Sequence, residues 1–419
     1  MTTDIAILSP KGVAVATDSA ITTLKGSESN PRRVHYSAEK LFHLDPAVPV
    51  AVMLYGQNDL MGIPMSVWIK AFRERSIKRC ETLEEYGEQF FSFLRTAPIE
   101  EHLEIKYLIH TCRRVFLRTR VKHQQAMKKR QMDNAQPTET ESNELLEARI
   151  REQHRLLESF SDSVPFSTEQ FQALSSKNTR LVSRVIDDVF GETQLSEEGR
   201  QCLKESGLTA CAVHPDKRAG LVFTGYGEEE YLPSLRQFDL KGLWGGQLIY
   251  REEPPTRLGS GGTGVICSFG QSADVNTFLD GISPNLSAFF EQTLQTERFC
   301  SLHALEQEIN EHLDLPAEQV TTLMAIVSQH LESTRAAQLQ RITQYKLDEF
   351  RKPILDALRV LPEPQLVAMA RTLVKLVSFR QQVSMESETV GGPIDVAFLG
   401  KGDGFRWVKQ KSPLSDVAF

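Results

Sequence analysis

Apolar and polar positions alternate with period two over the first eighteen residues, MTTDIAILSPKGVAVATD. Thr3, Ile5, Ile7 and Ser9 alternate with Asp4, Ala6 and Leu8. Beyond Pro10-Lys11-Gly12, Val13, Val15 and Thr17 alternate with Ala14, Ala16 and Asp18. Two such runs about a Pro/Gly turn predict a β-hairpin. Similar short runs predict strands over 40–45, 48–55, 208–214, 220–224, 235–240, 246–250 and 265–267. Residues 393–399 and 405–408, joined by a Gly-rich turn, predict a closing hairpin.

Between these runs the apolar period lengthens to three and four. Residues 64–76 open on Pro64, and 82–95 open on Thr82 with Glu84 and Glu85 behind it, a capped helix start. Further helices are predicted over 144–160, 167–190, 196–205 and 273–279, and over most of 284–380. The polar, Pro-containing stretch 132–143 reads as a loop.

Composition narrows the function. The chain has 419 residues, 40% of them apolar, and a net charge of −7, which gives no global pull toward nucleic acid or anionic membrane. Its six cysteines are scattered without a CxxC pair, so a reducing, cytoplasmic compartment is expected, with no zinc ribbon. No apolar run is long enough to span a bilayer. Residues 113–130 carry Arg113, Arg114, Arg118, Arg120, Lys122, Lys128, Lys129 and Arg130 without an acid. This basic helix reads as a solvated face or a docking surface for an acidic partner. Without interleaved aromatics it does not point to nucleic acid. RLGSGGTG at 257–264 precedes a strand rather than opening a helix and lacks GK[ST], so it reads as a loop, not a phosphate cradle.

Thr2 is the candidate chemistry. Removal of Met1 would put an α-amine, of reference pKa about 7.7–8.0, on the same residue as a hydroxyl. A hydroxyl with a built-in base is an activated nucleophile. Asp18 ends the return strand sixteen positions on, where antiparallel pairing brings it back to the chain start.

TTDIAILSPKGVAVATDS, then KLFHLD, then VAVMLYG, resembles the opening of proteasome β-type subunits, which are N-terminal-nucleophile (Ntn) hydrolases. The resemblance implies Thr2 as nucleophile, Asp18 holding a charged Lys40, and the Gly56 N–H as oxyanion donor. Ser272, in the turn before 273–279, would supply a further hydroxyl. It also implies an α+β fold, a four-layer αββα sandwich with helical insertions. The core would comprise 2–97, 207–283 and 385–410, with a helical insertion at 98–206 and an extended helical layer at 284–384. The expected function is threonine-type amide hydrolysis of a peptide or protein by a homo-oligomer, without metal or organic cofactor. One departure is visible. Where the family places an Asp and a Ser before its Gly-Gly pair, this chain has Ser387 and Val390 before Gly391-Gly392. That favours the rival expectation, an inactive scaffold or regulatory assembly protein.

Overall fold

The computed structural model describes residues 2–411, except 24–32, 37, 76, 133–137, 161–163, 192, 214–218, 259–261, 314 and 385–389. Ser37, the turn at 215–217, Glu386, Ser387 and Glu388 therefore lie outside the described residues. In chain order, β1 (Thr3–Ser9), β2 (Gly12–Thr17), β3 (Ile21–Thr23), β4 (Arg33–His35), β5 (Leu41–His43), β6 (Val50–Gly56), β7 (Asp59–Leu60) and β8 (Ile63–Pro64) come first. Six helices follow: α1 (Met65–Arg73), α2 (Leu83–Thr96), α3 (Glu101–Met132), α4 (Glu139–Glu158), α5 (Thr168–Phe190) and α6 (Glu197–Ala212). Then come β9 (Ala219–Gly225), β10 (Ser234–Trp244), β11 (Gln247–Glu252), β12 (Thr256–Arg257) and β13 (Val265–Gly270). The rest is α7 (Ala273–Asp280), α8 (Pro284–His312), α9 (Ala317–Lys346), a π-helical turn (Leu347–Arg351), α10 (Lys352–Leu358), α11 (Glu363–Val383), β14 (Asp395–Gly400) and β15 (Gly404–Lys409). Helices and antiparallel sheets together make this an α+β chain. Among the described residues no helix is long and apolar enough to cross a membrane.

The chain divides into two compact units, each with its own core. The central unit, Glu39–Thr256, holds the antiparallel order β11-β10-β9-β6-β5. Phe91 of α2 stands edge-on to Phe238 of β10, with ring centres 4.7 Å apart, and Phe90 packs edge-on to Phe223 of β9. The helix predicted over 82–95 thus turns Phe90 and Phe91 to the sheet, and Thr82 caps it by accepting the Glu85 N–H.

The expected strand at 208–214 is instead the last turns of α6. A short apolar run has no period of its own to separate strand from buried helix. Here it continues the face begun by Leu203, and that face packs on α3. Gly207 permits the approach, since a Cβ there would sit 2.9 Å from the Cys112 sulfur. Of the expected loop at 132–143, residues 133–137 lie outside the described residues, while Met132 ends α3 and 139–143 belong to α4. Thr138 and Glu141 form a reciprocal capping box, so α4 starts at Glu139.

The terminal unit, Met1–Ala38 with Arg257–Phe419, holds the antiparallel order β13-β1-β2-β14-β15. One face carries Ile5, Ile7, Ala14, Ala16, Val396 and Phe398, and it packs with Leu366, Ala370, Leu373, Val374 and Val377 of α11. β1 and β2 are the middle of this sheet, and every residue in both is buried.

Candidate active site

Hairpin register fixes the start of the chain. Asp4 pairs with Thr17, so Thr2 lies beyond the end of β1 and opposite the residue that leaves β2. The Asp18 N–H donates to the Thr3 carbonyl at 3.3 Å, which closes the ladder one step beyond that pair. The Thr2 hydroxyl then donates to Asp18 Oδ1 at 2.7 Å. Asp4, two residues along an extended strand and hence on the same side as Thr2, places its carboxylate oxygens 3.2 and 3.3 Å from that hydroxyl. A hydroxyl has one proton to donate, and the shorter contact holds it.

Asp18 does more than face Thr2. Its Oδ1 also accepts the Thr3 N–H at 3.2 Å. Its Oδ2 accepts the Ala20 N–H at 3.2 Å and the Gly391 N–H at 3.1 Å. One buried carboxylate therefore ties the start of β1, the exit of β2 and the entry to β14. Each of its oxygens thus accepts from two donors, and three of the four are main-chain N–H groups.

The Thr2 carbonyl is held from the far side of the sheet. It accepts the Gln271 N–H at 2.8 Å, just beyond the pairing of Thr3 with Gly270 on β13. Gly270 has φ +76°, and a Cβ there would fall 2.1 Å from the Thr2 carbonyl oxygen. Only glycine accepts both conditions. The Gln271 side chain accepts a hydrogen bond from the Gln381 amide on α11, and Gln381 Oε1 accepts the Val390 N–H at 2.8 Å. Gln381, buried, thus joins the two segments that flank Thr2. The departure at Val390 acquires a structural meaning: its side chain is buried, and its contribution here is a main-chain donor.

Ser272 follows Gln271 directly and stands at the N-cap of α7, but its side chain makes no cap hydrogen bond. Lys40 and Gly56 belong to the central unit. Lys40 is buried immediately before β5, and its carbonyl accepts the Leu54 N–H at 2.9 Å. Gly56 ends β6 with φ +76° and is exposed, paired with Ala219. Of the residues predicted from sequence, Thr2 and Asp18 are brought into hydrogen-bonding contact.

Sequence reasoning missed three residues. Asp4 carried a signal, a charge inside an otherwise apolar first strand. Gln271 and Gln381 carried none, since their bonds cross 110 positions of chain. The predicted basic segment lies on α3, where Arg113, Arg118 and Lys122 are exposed and border a hollow of about 510 Å³ with Leu117 and Val121.

No protein-family model matches this chain, and no curated protein matches it either.

The chemistry available is that of an oriented, polarised hydroxyl. A carboxylate of reference pKa near 4 is too weak a base to take a threonine proton at neutral pH. It can direct the hydroxyl and leave its lone pairs aimed elsewhere.

Proposed function

We propose that the chain is a threonine-type Ntn hydrolase acting on amide bonds of a peptide or protein, with Thr2 as nucleophile once Met1 has been removed. One observation carries this reading: the Thr2 hydroxyl meets the Asp18 carboxylate at 2.7 Å while the Thr2 carbonyl is fixed by the Gln271 N–H. A nucleophile must be held in one rotamer at one depth, and both ends of Thr2 are tied. The α-amine would take the hydroxyl proton as the hydroxyl oxygen attacks the substrate carbonyl. It would return that proton to the leaving amine, and water would then resolve the ester. Roles for Lys40, Gly56 and Ser272, the four-layer αββα arrangement, a homo-oligomeric state and a cytoplasmic setting rest on the sequence resemblance.

The α-amine must be neutral to take the hydroxyl proton, so hydrolysis is expected to rise through the ordinary range of an α-amine, about 7.7–8.0. The experiment is intact mass followed by a fluorogenic peptide panel. Loss of Met1 and hydrolysis that vanishes in Thr2→Ala are expected. A Thr2→Ala protein that folds and hydrolyses as well as the parent refutes the reading.

The scaffold alternative has its own observation. Thr2 is 2% exposed, and Asp18 already binds three main-chain N–H groups, as a structural clasp would. Met1 retained on the purified protein would decide for it, because a peptide nitrogen cannot serve as the base.

A further inference from the structure

We propose that the outer face of α3 is a docking surface for an acidic amphipathic helix of a partner protein. This face belongs to the central unit, and its role is independent of Thr2.

Residues 105–132 of α3 carry nine Lys and Arg and not one Asp or Glu. Other helices balance charge along their own length, as Arg149 does with Glu152 and Arg335 with Glu332. Beyond Glu104, α3 has no acid with which to do so. Its inner side is settled, since Leu108, Cys112 and Phe116 are buried in the core of the central unit. At about 100° per residue, Leu117 stands about 180° around the helix from Leu108. Lys106, Arg113, Val121 and Lys128 all fall within about 40° of Leu117. These five side chains are exposed. Among the described residues, Lys106, Arg113 and Lys128 enter no ion pair, whereas His110, Arg114 and Arg118 already interact within the chain. The charge offered outward is that of the first three.

The spacing describes the occupant. At 1.5 Å per residue the stripe runs about 33 Å from Lys106 to Lys128. Leu117 and Val121 sit one turn apart near its middle, 43% and 46% exposed, so about half of each is open to a partner. They border a hollow of about 510 Å³, which α3 alone lines among the described residues. Arg113 stands one turn before this apolar pair and Lys128 about two turns after it. The complement is a helix with two apolar residues four apart and carboxylates on the same face on either side of them. Apolar anchors at helical spacing set the register, and the opposed charges set the direction and the choice of partner.

Other polyanions fit this face less well. The aromatics of 105–132 are Tyr107 and Phe116, and both are buried, so α3 offers nucleic-acid bases no stacking platform. The net charge of −7 also opposes a long polyanion at a distance. A bilayer takes up a wide apolar face with cations at its edges. Here the wide apolar side of α3 is the buried one, and the cations share the outer side with two apolar residues.

The test is fluorescence anisotropy of a labelled helical peptide titrated with the full chain. The peptide has about 22 residues, enough to cover the stripe, with two Leu four apart and Glu on the same face to either side. Saturable binding is expected, weakening as salt is raised. Leu117→Gln/Val121→Gln and Arg113→Glu/Lys128→Glu should each raise Kd about tenfold or more, with the helical circular dichroism of the parent. Lys129→Glu/Arg130→Glu makes the same change in charge on side chains more than about 100° away from Leu117, and should shift Kd less than about threefold. A peptide with Lys in place of those Glu should bind Arg113→Glu/Lys128→Glu better than it binds the parent. Absence of binding overturns the proposal. So does equal binding of a peptide of the same composition with its two Leu on opposite faces, or equal weakening by the Lys129/Arg130 pair of changes. Displacement of the peptide by a single-stranded RNA or by phosphatidylserine vesicles overturns it too, and would assign the face to nucleic acid or to a membrane surface.

Discussion

Asp18→Asn tests whether this carboxylate is a clasp as well as a neighbour of Thr2. The substitution keeps the shape and leaves one oxygen, which can still accept from the Thr2 hydroxyl and the Thr3 N–H. The new NH2 group then faces the N–H groups of Ala20 and Gly391, donor against donor. Two buried donors lose their acceptor at about 1.5 kcal/mol each, so the cost is about 3 kcal/mol. That is a large share of a typical stability of about 5–15 kcal/mol. Because the chain has two compact units, a single global unfolding energy is the wrong readout. Amide hydrogen exchange is the right one. Protection of the Ala20 and Gly391 amides should fall about a hundredfold, while amides of the central unit exchange as before. If both amides keep their protection to within about threefold, the four-bond description of Asp18 is wrong.

Two further outcomes follow from glycine and tyrosine chemistry. Gly270→Ala forces a Cβ onto the Thr2 carbonyl at a φ of +76° and should cost about 2–4 kcal/mol, read as a lowered urea midpoint with Thr2 reactivity lost. A midpoint unchanged within error would contradict that geometry. In the central unit, burial pushes the Tyr226 phenol up to about 12. Burial and a hydrogen bond to Asp239 push Tyr55 higher still. A folded pKa above the unfolded value near 10 means that the fold prefers the protonated phenol. That stability is present below pH 10 and drains away as pH rises from 10 toward 12. Tyr226→Phe should make the decline of the urea midpoint over this range shallower than in the parent, and equal slopes would refute the assignment.

The sequence revealed those parts of the fold that depend on local period. The opening hairpin, β6, the Thr82 cap and the closing hairpin lie close to where alternation and turn residues put them. What failed was type where period is absent, as at 208–214. Extent failed too, as in α3, which runs over Glu101–Met132 where the sequence placed only a basic helix at 113–130. The site was half legible for the same reason. Thr2 and Asp18 are joined by a hairpin, so counting along the chain is enough to bring them together. Asp4 stood in the alternation as one position among others, and its burial follows from β1 lying between β13 and β2 in the sheet. Gln271, Gln381 and Gly391 reach the chain start only through tertiary pairing, and no local pattern encodes that.

The strand order of the terminal unit has a consequence for how the protein is made. β2 must pair with β14, and Asp18 must wait for Gly391, which is 373 positions further along the chain. At about 5–20 residues per second, the ribosome delivers that partner about 20–75 s after Asp18. During this interval the central unit, whose residues are contiguous, is already complete and free to fold. The opening hairpin is not. A nascent or prematurely terminated chain therefore holds Thr2 and Asp18 without the Gly391 amide and the β14 edge that fix them. Any hydrolytic power vested in Thr2 would stay latent until Gly391 and β14 have been made.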